Sequence, residues 1–195
     1  MELLRPDQQR AAMLTLAEAA ANDPLLEIVA PDPAQRPKVA PWFYGFPVSY
    51  GLRYGRVWAN EDASAVAVWI HPESGAMSMP KLLRAGMWQM PLKMGMGAMS
   101  RFSKAMAVTQ PFHKQVEGPH WYLMNLGART ARQGQGLGSQ LVEMGTSRAD
   151  QAGLPCYLET ATEANIAFYR KRGFEIIGQG ECLGHTLTGM VRQPR

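Results

Sequence analysis

Residues 120–153 read as strand, glycine turn and helix without interruption, and no other stretch constrains the chain so strongly. The segment HWYLMNLGA, His120 to Ala128, is largely apolar on both alternating faces, as a central strand covered on both sides must be. Strict alternation puts Trp121, Leu123, Asn125 and Gly127 on one face and Tyr122, Met124, Leu126 and Ala128 on the other. ARQGQGLGSQLVE, Ala131 to Glu143, follows with three glycines. It opens an amphipathic helix from Gly136 to Gln151 that carries Leu137, Leu141 and Met144 on one side and ends near Gly153. Glycine lets backbone N–H groups converge on an anion without a Cβ in the way, and a helix start adds unsatisfied donors and a positive dipole end. The expected ligand of the turn is a phosphate.

Two common phosphate loops fit poorly. A Walker loop needs Gly-Lys-Ser/Thr, and no lysine follows these glycines. A dinucleotide fingerprint is nearly met, with Gly134 and Gly136 in place, Ser139 third and Glu159 at about the right distance. That fold, however, needs further strand–helix crossovers, and the chain ends in strands without helices between them. Downstream, CYLET, Cys156 to Thr160, is another strand. Thr160 and Glu163 have capping-box spacing for a helix running to Arg172. Gly173 closes it as a left-handed cap, with Phe174 packing back onto Phe168 or Tyr169. Strands at Phe174–Gly180 and Leu187–Arg192 complete the sheet.

The first half is less regular. A short strand over Met1–Arg5 precedes a helix over Asp7–Ala21, and Leu25–Pro37 has room for one short helix. Pro41 to Gly55, PWFYGFPVSYGLRYG, is too broken by Gly and Pro for a regular assignment and is a candidate pocket lining. RVWAN and AVAVWIH, at Arg56–Asn60 and Ala65–His71, predict an antiparallel hairpin with Val66, Val68 and Ile70 on one side. Pro72–Met79 is expected to be loop. Lys81–Met106 has an interrupted helical period, and eight of the 13 methionines fall between Met77 and Met106. That arm fills irregular core space or forms an adaptable apolar wall. Thr109–Pro119 is expected to be loop.

The chain has 195 residues, enough for one domain with a substantial core, in which residues 1–119 are the irregular half with its helical arm and residues 120–195 the half with the glycine turn. No apolar run approaches the ~18 residues of a membrane helix, and the start lacks the order of a signal peptide, so a cytoplasmic protein is expected. The two cysteines, Cys156 and Cys182, exclude a disulfide framework and read as packed thiols. A net charge of +4 without a dense basic stripe argues against a nucleic-acid partner, because Arg170, Lys171 and Arg172 sit at a helix C-terminus where cations suit the dipole. No His pair has metal-binding spacing.

Gln133-Gly134-Gln135-Gly136-Leu137-Gly138 resembles the Gln/Arg-x-x-Gly-x-Gly/Ala pyrophosphate loop of the GNAT superfamily of N-acetyltransferases. Asn165, Phe168, Tyr169, Gly173 and Phe174 match that family's Asn-x-x-Phe-Tyr-x-x-x-Gly-Phe signature. From about His120 to Met190 the chain is similar in particular to the puromycin N-acetyltransferases of the family, and Thr130 stands where the family often has proline. The resemblance implies an α/β fold with a mixed, mainly antiparallel sheet, a splayed parallel pair of central strands and helices on both faces. It also implies acetyl-CoA as donor. The pantetheine arm would lie on the backbone of Leu126 and Ala128 and on Asn165. The pyrophosphate would lie on the N–H groups of Gln133, Gly134, Gln135, Gly136, Leu137, Gly138 and Ser139.

The implied reaction is direct attack of a neutral amine on the thioester. Tyr169 is the expected general acid, since a phenol of pKa near ~10 can protonate a thiolate yet keeps its proton at neutral pH. Leu126 N–H is the expected oxyanion donor. Glu117 and His120, with His113 upstream, are candidate bases, and water is an alternative. The acceptor expected is a primary amine on a small molecule, and a homodimer is compatible with the sequence. A protein or peptide N-acetyltransferase and a non-catalytic acyl-CoA sensor remain as alternatives.

Overall fold

The computed structural model describes residues 1–75 and 77–195. Among the described residues seven strands, β1 (Glu2–Leu3), β2 (Gly55–Ala59), β3 (Ala65–Ile70), β4 (Trp121–Ala128), β5 (Cys156–Thr160), β6 (Glu175–Cys182) and β7 (His185–Arg192), form one sheet ordered β1-β2-β3-β4-β5-β7-β6. Only β4 and β5 run parallel; the other neighbours are antiparallel. The helices are α1 (Gln9–Ala19), α2 (Pro24–Val29), α3 (Arg36–Tyr54), α4 (Met79–Arg84), α5 (Met90–Lys114), α6 (Leu137–Ala152) and α7 (Glu163–Arg170).

Two cores lie on opposite faces. Val57, Ala59, Val66, Val68 and Ile70 pack with α1, α2, α3 and α5, while Trp58, Ala65, Ala67 and Trp69 pack with α6 and α7. The hairpin and the placement of Val66, Val68 and Ile70 are as the alternation requires. Among the described residues, no helix is long and apolar enough to cross a membrane.

Several elements depart from the sequence expectation. Pro41–Gly55 falls almost wholly inside α3, which continues through Pro41 and Pro47. Proline removes a donor and disfavours a helix interior, but Phe43, Tyr44, Phe46, Val48 and Tyr50 are all buried, and burial of that size outweighs local propensity. These aromatics are mostly core. Gly51 lets α3 approach the sheet, since a Cβ there would lie 2.5 Å from Val68 Cγ1. Within the predicted loop Pro72–Met79, Pro72–Ser74 is a 3₁₀ turn, Ala76 lies outside the described residues, and Met79 already begins α4. The loop expected at Thr109–Pro119 is helical as far as Lys114, because Val108 and Phe112 of α5 pack over Gly178, Gly180 and Gly189 of β6 and β7.

A bulge interrupts β4. Val68 of β3 pairs with Asn125 and Trp69 with Leu123, so Met124 is an extra residue. Trp121 and Leu123 face α6 and Tyr122 faces the other core, but beyond the bulge Leu126 and Ala128 have turned to the α6 side and Gly127 meets Leu16 and Ala19 of α1. The strict alternation predicted for the strand therefore fails past Met124.

Candidate active site

β4 and β5 pair in parallel over three registers only, Trp121 with Cys156, Tyr122 with Tyr157 and Leu123 with Leu158. Beyond Leu123 and Leu158 the two strands have no mutual register, and the sheet opens there. Arg129 N donates to Ser64 O at 2.8 Å, on the β3 side. Alternation along a strand then points the backbone groups of Ala128 and Leu126 the other way, into the opening. Gln133 Nε2 reaches back to Ala128 O at 3.2 Å, joining the glycine turn to the same edge.

The turn is built as its glycines require. Gly134 and Gly136 have φ of 75° and 78°, in the left-handed region, and Gly136 is the N-cap of α6. Thr130–Arg132 forms a 3₁₀ turn, fixed without proline by Thr130 N donating to Glu18 Oε1 at 2.9 Å. Gln133, Gly134, Gln135 and Gly136 are exposed, and Leu137, Gly138 and Ser139 are half-buried in the first turn of α6. Arg172 donates to Ser139 Oγ and stands 3.4 Å from the centre of the Phe168 ring, which brings a cation beside the turn.

The second motif closes the opening from the α6 side. Thr162, not Thr160, caps α7 and accepts from Asn165 N at 3.2 Å, because β5 keeps Thr160 paired with Thr188. Asn165 is exposed in the first turn of α7. Gly173 has φ of 86°, and Phe174 returns to pack edge-to-face on Tyr169 at 5.7 Å. Tyr169 is buried. Desolvation pushes its phenol above the usual range, with Arg172 lowering and Asp23 raising it. Asp23, the N-cap of α2, accepts from Leu25 N at 2.8 Å and is pushed up mainly by burial.

The candidate bases lie elsewhere. Glu117 is exposed in the turn before β4, and His120 stands at the start of the strand, so that roughly 20 Å of extended chain separates His120 from Leu126. His113, on the last turn of α5, brings its Nε2 to 2.8 Å from His120 Nε2 and stacks on Tyr157 at 4.3 Å. Burial and His120 lower His113 to about 4.

A cluster that the sequence reading used only in the dinucleotide test lies at the opening. Glu159 is the first β5 residue past the last parallel register. Its carboxylate accepts from Tyr122 Oη at 2.6 Å and from Tyr157 Oη at 3.1 Å, and the Thr109 hydroxyl faces it. Desolvation raises it, against the lowering effect of the hydroxyls. The sequence signal was present: period two places Tyr157 and Glu159 on one face of a central strand, where an apolar pair is expected.

Residues 95–174 match the model of the acetyltransferase (GNAT) family. Over that segment the chain is similar to a GNAT acetyltransferase domain. An uncharacterized N-acetyltransferase of Schizosaccharomyces pombe is 26% identical over 175 residues, spanning 86% of this chain and 70% of that one. Among solved structures, histone acetyltransferase HPA2 and related acetyltransferase from Corynebacterium glutamicum superposes with a TM-score of 0.68 at 22% identity, covering 100% of this chain and 95% of that chain. Arylalkylamine N-acetyltransferase 2 from Aedes aegypti superposes with a TM-score of 0.69 at 14% identity, covering 100% and 98%. At such identities the likeness is one of fold. The match reads this chain as an acyltransferase, and its mixed sheet with a parted parallel pair is the fold that the two sequence motifs implied.

Proposed function

We propose that this chain is a single-domain enzyme that transfers acetyl from acetyl-CoA to a primary amine of a small molecule. The observation that carries this reading is the parting of β4 and β5 after Leu123 and Leu158, which leaves the backbone groups of Leu126 and Ala128 without a strand partner. An amide-bearing pantetheine arm satisfies such groups as a third strand would. The N–H groups of Gln133–Ser139 hold the pyrophosphate, and Asn165 offers its side-chain amide to the arm. Acetyl-CoA supplies the activated acyl carbon. Leu126 N–H stabilises the oxyanion that develops on attack, and Tyr169 holds the proton given to the departing sulfur.

The acceptor enters from the face opposite α6. The charge of Asp23 at the start of α2 bears on Tyr169, and the Thr109 hydroxyl of α5 bonds Glu159. Arg101 of α5 bonds Val29 O at 2.8 Å, tying α5 to the end of α2. Two helices joined over that face favour a small acceptor over an extended peptide. The methionines of α4 and α5 suit one with an apolar body.

The test is thermal stabilisation by CoA together with release of free thiol from acetyl-CoA across a panel of amines and N-terminal peptides. Saturation at 100 times Kd stabilises by ~2.7 kcal/mol. Stabilisation with thiol release on small amines is the expected result. Stabilisation with no release across the panel makes the chain a binding module, and release on peptides alone moves the acceptor class.

A further inference from the structure

From Met79 to Met96 the chain forms an arm that is apolar on its outer side as well as its inner one. Ala85 and Met90 are buried, and Leu82, Met87 and Met94 pack against the core. The apolar side chains between them point outward: Leu92 is 78% and Met96 68% exposed, and Met79, Leu83 and Trp88 are exposed as well. Among the described residues these are five of the nine large apolar side chains left exposed, gathered on α4, the 3₁₀ turn Met87–Gln89 and the start of α5. A helix apolar all round is ordinarily enclosed, and a patch of this extent marks a surface that something covers. The charge there has one sign. Between Glu73 and Glu117 the chain has no acidic residue, but it has Lys81, Arg84, Lys93, Arg101, Lys104 and Lys114. Arg84, Lys93 and Lys104 are exposed, whereas Arg101 turns inward to Val29 O and shares a cavity with Met94 and Asp32. Lys81 Nζ stands 5.8 Å from the centre of the Tyr54 ring, which brings the end of α3, with its exposed Leu52 and Arg53, beside α4.

We propose that the outward face of this arm rests on an anionic lipid surface, with Trp88 and Leu92 in the interface and Arg84 and Lys93 against the headgroups. Charge complementarity selects that occupant. Trp, Leu and Met interleaved with Arg and Lys is the composition of a segment lying in a headgroup layer, where an indole takes the boundary and cations meet phosphates. A second copy docked about a two-fold axis would set the same cations against one another, and like charges at close range oppose that contact. Shape decides between lipid and an acidic protein. The outward side chains stand on three successive elements that turn at Gly86 and break at Gly95, whose φ values are 108° and 81°. A fluid layer admits each side chain separately, whereas a protein partner needs one surface complementary to all five across those breaks. The contact is peripheral: Ala85 and Met90 fix the arm to the core while its outer row enters the interface. It does not depend on acetyl transfer.

The test is flotation of the full chain with vesicles of phosphatidylcholine alone and of phosphatidylcholine with about 30 mol% phosphatidylserine, in about 0.1 M and about 0.5 M salt. Binding to the anionic vesicles is expected to exceed binding to the neutral ones roughly tenfold and to fall several-fold at the higher salt. Arg84→Ser with Lys93→Ser, and Trp88→Ser with Leu92→Ser, should each weaken it roughly tenfold. The melting temperature should hold in both double variants, because all four side chains are exposed. Tryptophan emission should shift to the blue on anionic vesicles, and Trp88→Phe should remove most of that shift, since Trp58, Trp69 and Trp121 are buried already. No flotation, equal flotation with neutral and anionic vesicles, or flotation unchanged in either double variant overturns the proposal. A dimer in sedimentation equilibrium that Trp88→Ser with Leu92→Ser dissociates, without vesicle binding, gives the face to a second copy. Binding of polyglutamate without vesicle binding gives it to an acidic protein, and either result overturns the lipid assignment. Thiol release from acetyl-CoA without vesicles is a separate readout, so failure here leaves the function proposed above standing.

Discussion

Gly145 of α6 lies directly on the indole of Trp69 in β3: a Cβ at Gly145 would stand 2.3 Å from the Trp69 ring. Trp69 is fully buried and donates from Nε1 to Leu141 O one turn earlier at 3.3 Å, so neither partner has room to withdraw. The helix that follows the glycine turn is thereby set at a fixed height above the sheet. Gly145→Ala is expected to cost ~1–3 kcal/mol by overpacking and to weaken CoA binding by shifting α6. Urea denaturation with CoA titration checks both, and an unchanged midpoint would contradict the close packing.

Arg192 of β7 pairs with Asp150 of α6 through two hydrogen bonds of 2.7 and 2.8 Å, and Arg192 is buried. The guanidinium holds the Asp150 carboxyl below its ordinary value. A carboxyl whose folded pKa is depressed stabilises the fold above its unfolded pKa of ~3.9 and loses that contribution as pH falls through the folded pKa. Asp150→Asn should therefore lower stability by ~1.5–3 kcal/mol at pH 7, with the gap to wild type closing below about pH 4. Parallel melts across pH measure it.

Tyr169→Phe keeps the edge-to-face packing on Phe174 and removes only the hydroxyl. Turnover should fall on the order of 10²-fold with CoA affinity nearly unchanged, if the phenol protonates the sulfur. Stopped-flow thiol release and equilibrium CoA binding separate the two quantities. An unchanged rate would remove Tyr169 from the chemistry.

Cys156 and Cys182 are both buried and free, and burial pushes the Cys156 thiol up to about 12. Neither should react with Ellman's reagent in the native protein at pH 7.5, while both should react in guanidinium. Thiol release in an acetyl-CoA assay then reports CoA alone. Rapid labelling of the native chain would show that one of the two cores opens readily.

The legible parts of the sequence were those in which local chemistry and tertiary demand agree. The glycine turn needs positive φ at Gly134 and Gly136, the β2–β3 hairpin alternates cleanly, and Gly173 with Phe174 ends α7 as its spacing implies. Elements went unread where burial overrode propensity. Pro41 and Pro47 would break an exposed helix, but α3 keeps its helical path because its aromatics are buried. A loop was expected over Thr109–Pro119, yet α5 continues through Pro111 to Lys114 because Phe112 fills the space over Gly178 and Gly189. The N-cap of α7 moved from Thr160 to Thr162 because strand pairing claimed the first threonine.

The sequence by itself determined the glycine turn and the α7 signature, since both are contiguous segments whose conformation follows from local backbone geometry. The cluster around Glu159 was decided by tertiary structure. Glu159, Tyr122, Tyr157 and Thr109 come from three elements, and Glu117 and His120, close in sequence to β4, lie at its far end. The bulge at Met124, which turns Leu126 and Ala128 to the α6 side, arises from pairing with β3, so no period within β4 could reveal it. A carboxylate acquires its character from what surrounds it, and here those surroundings are assembled only when the strands and α5 meet.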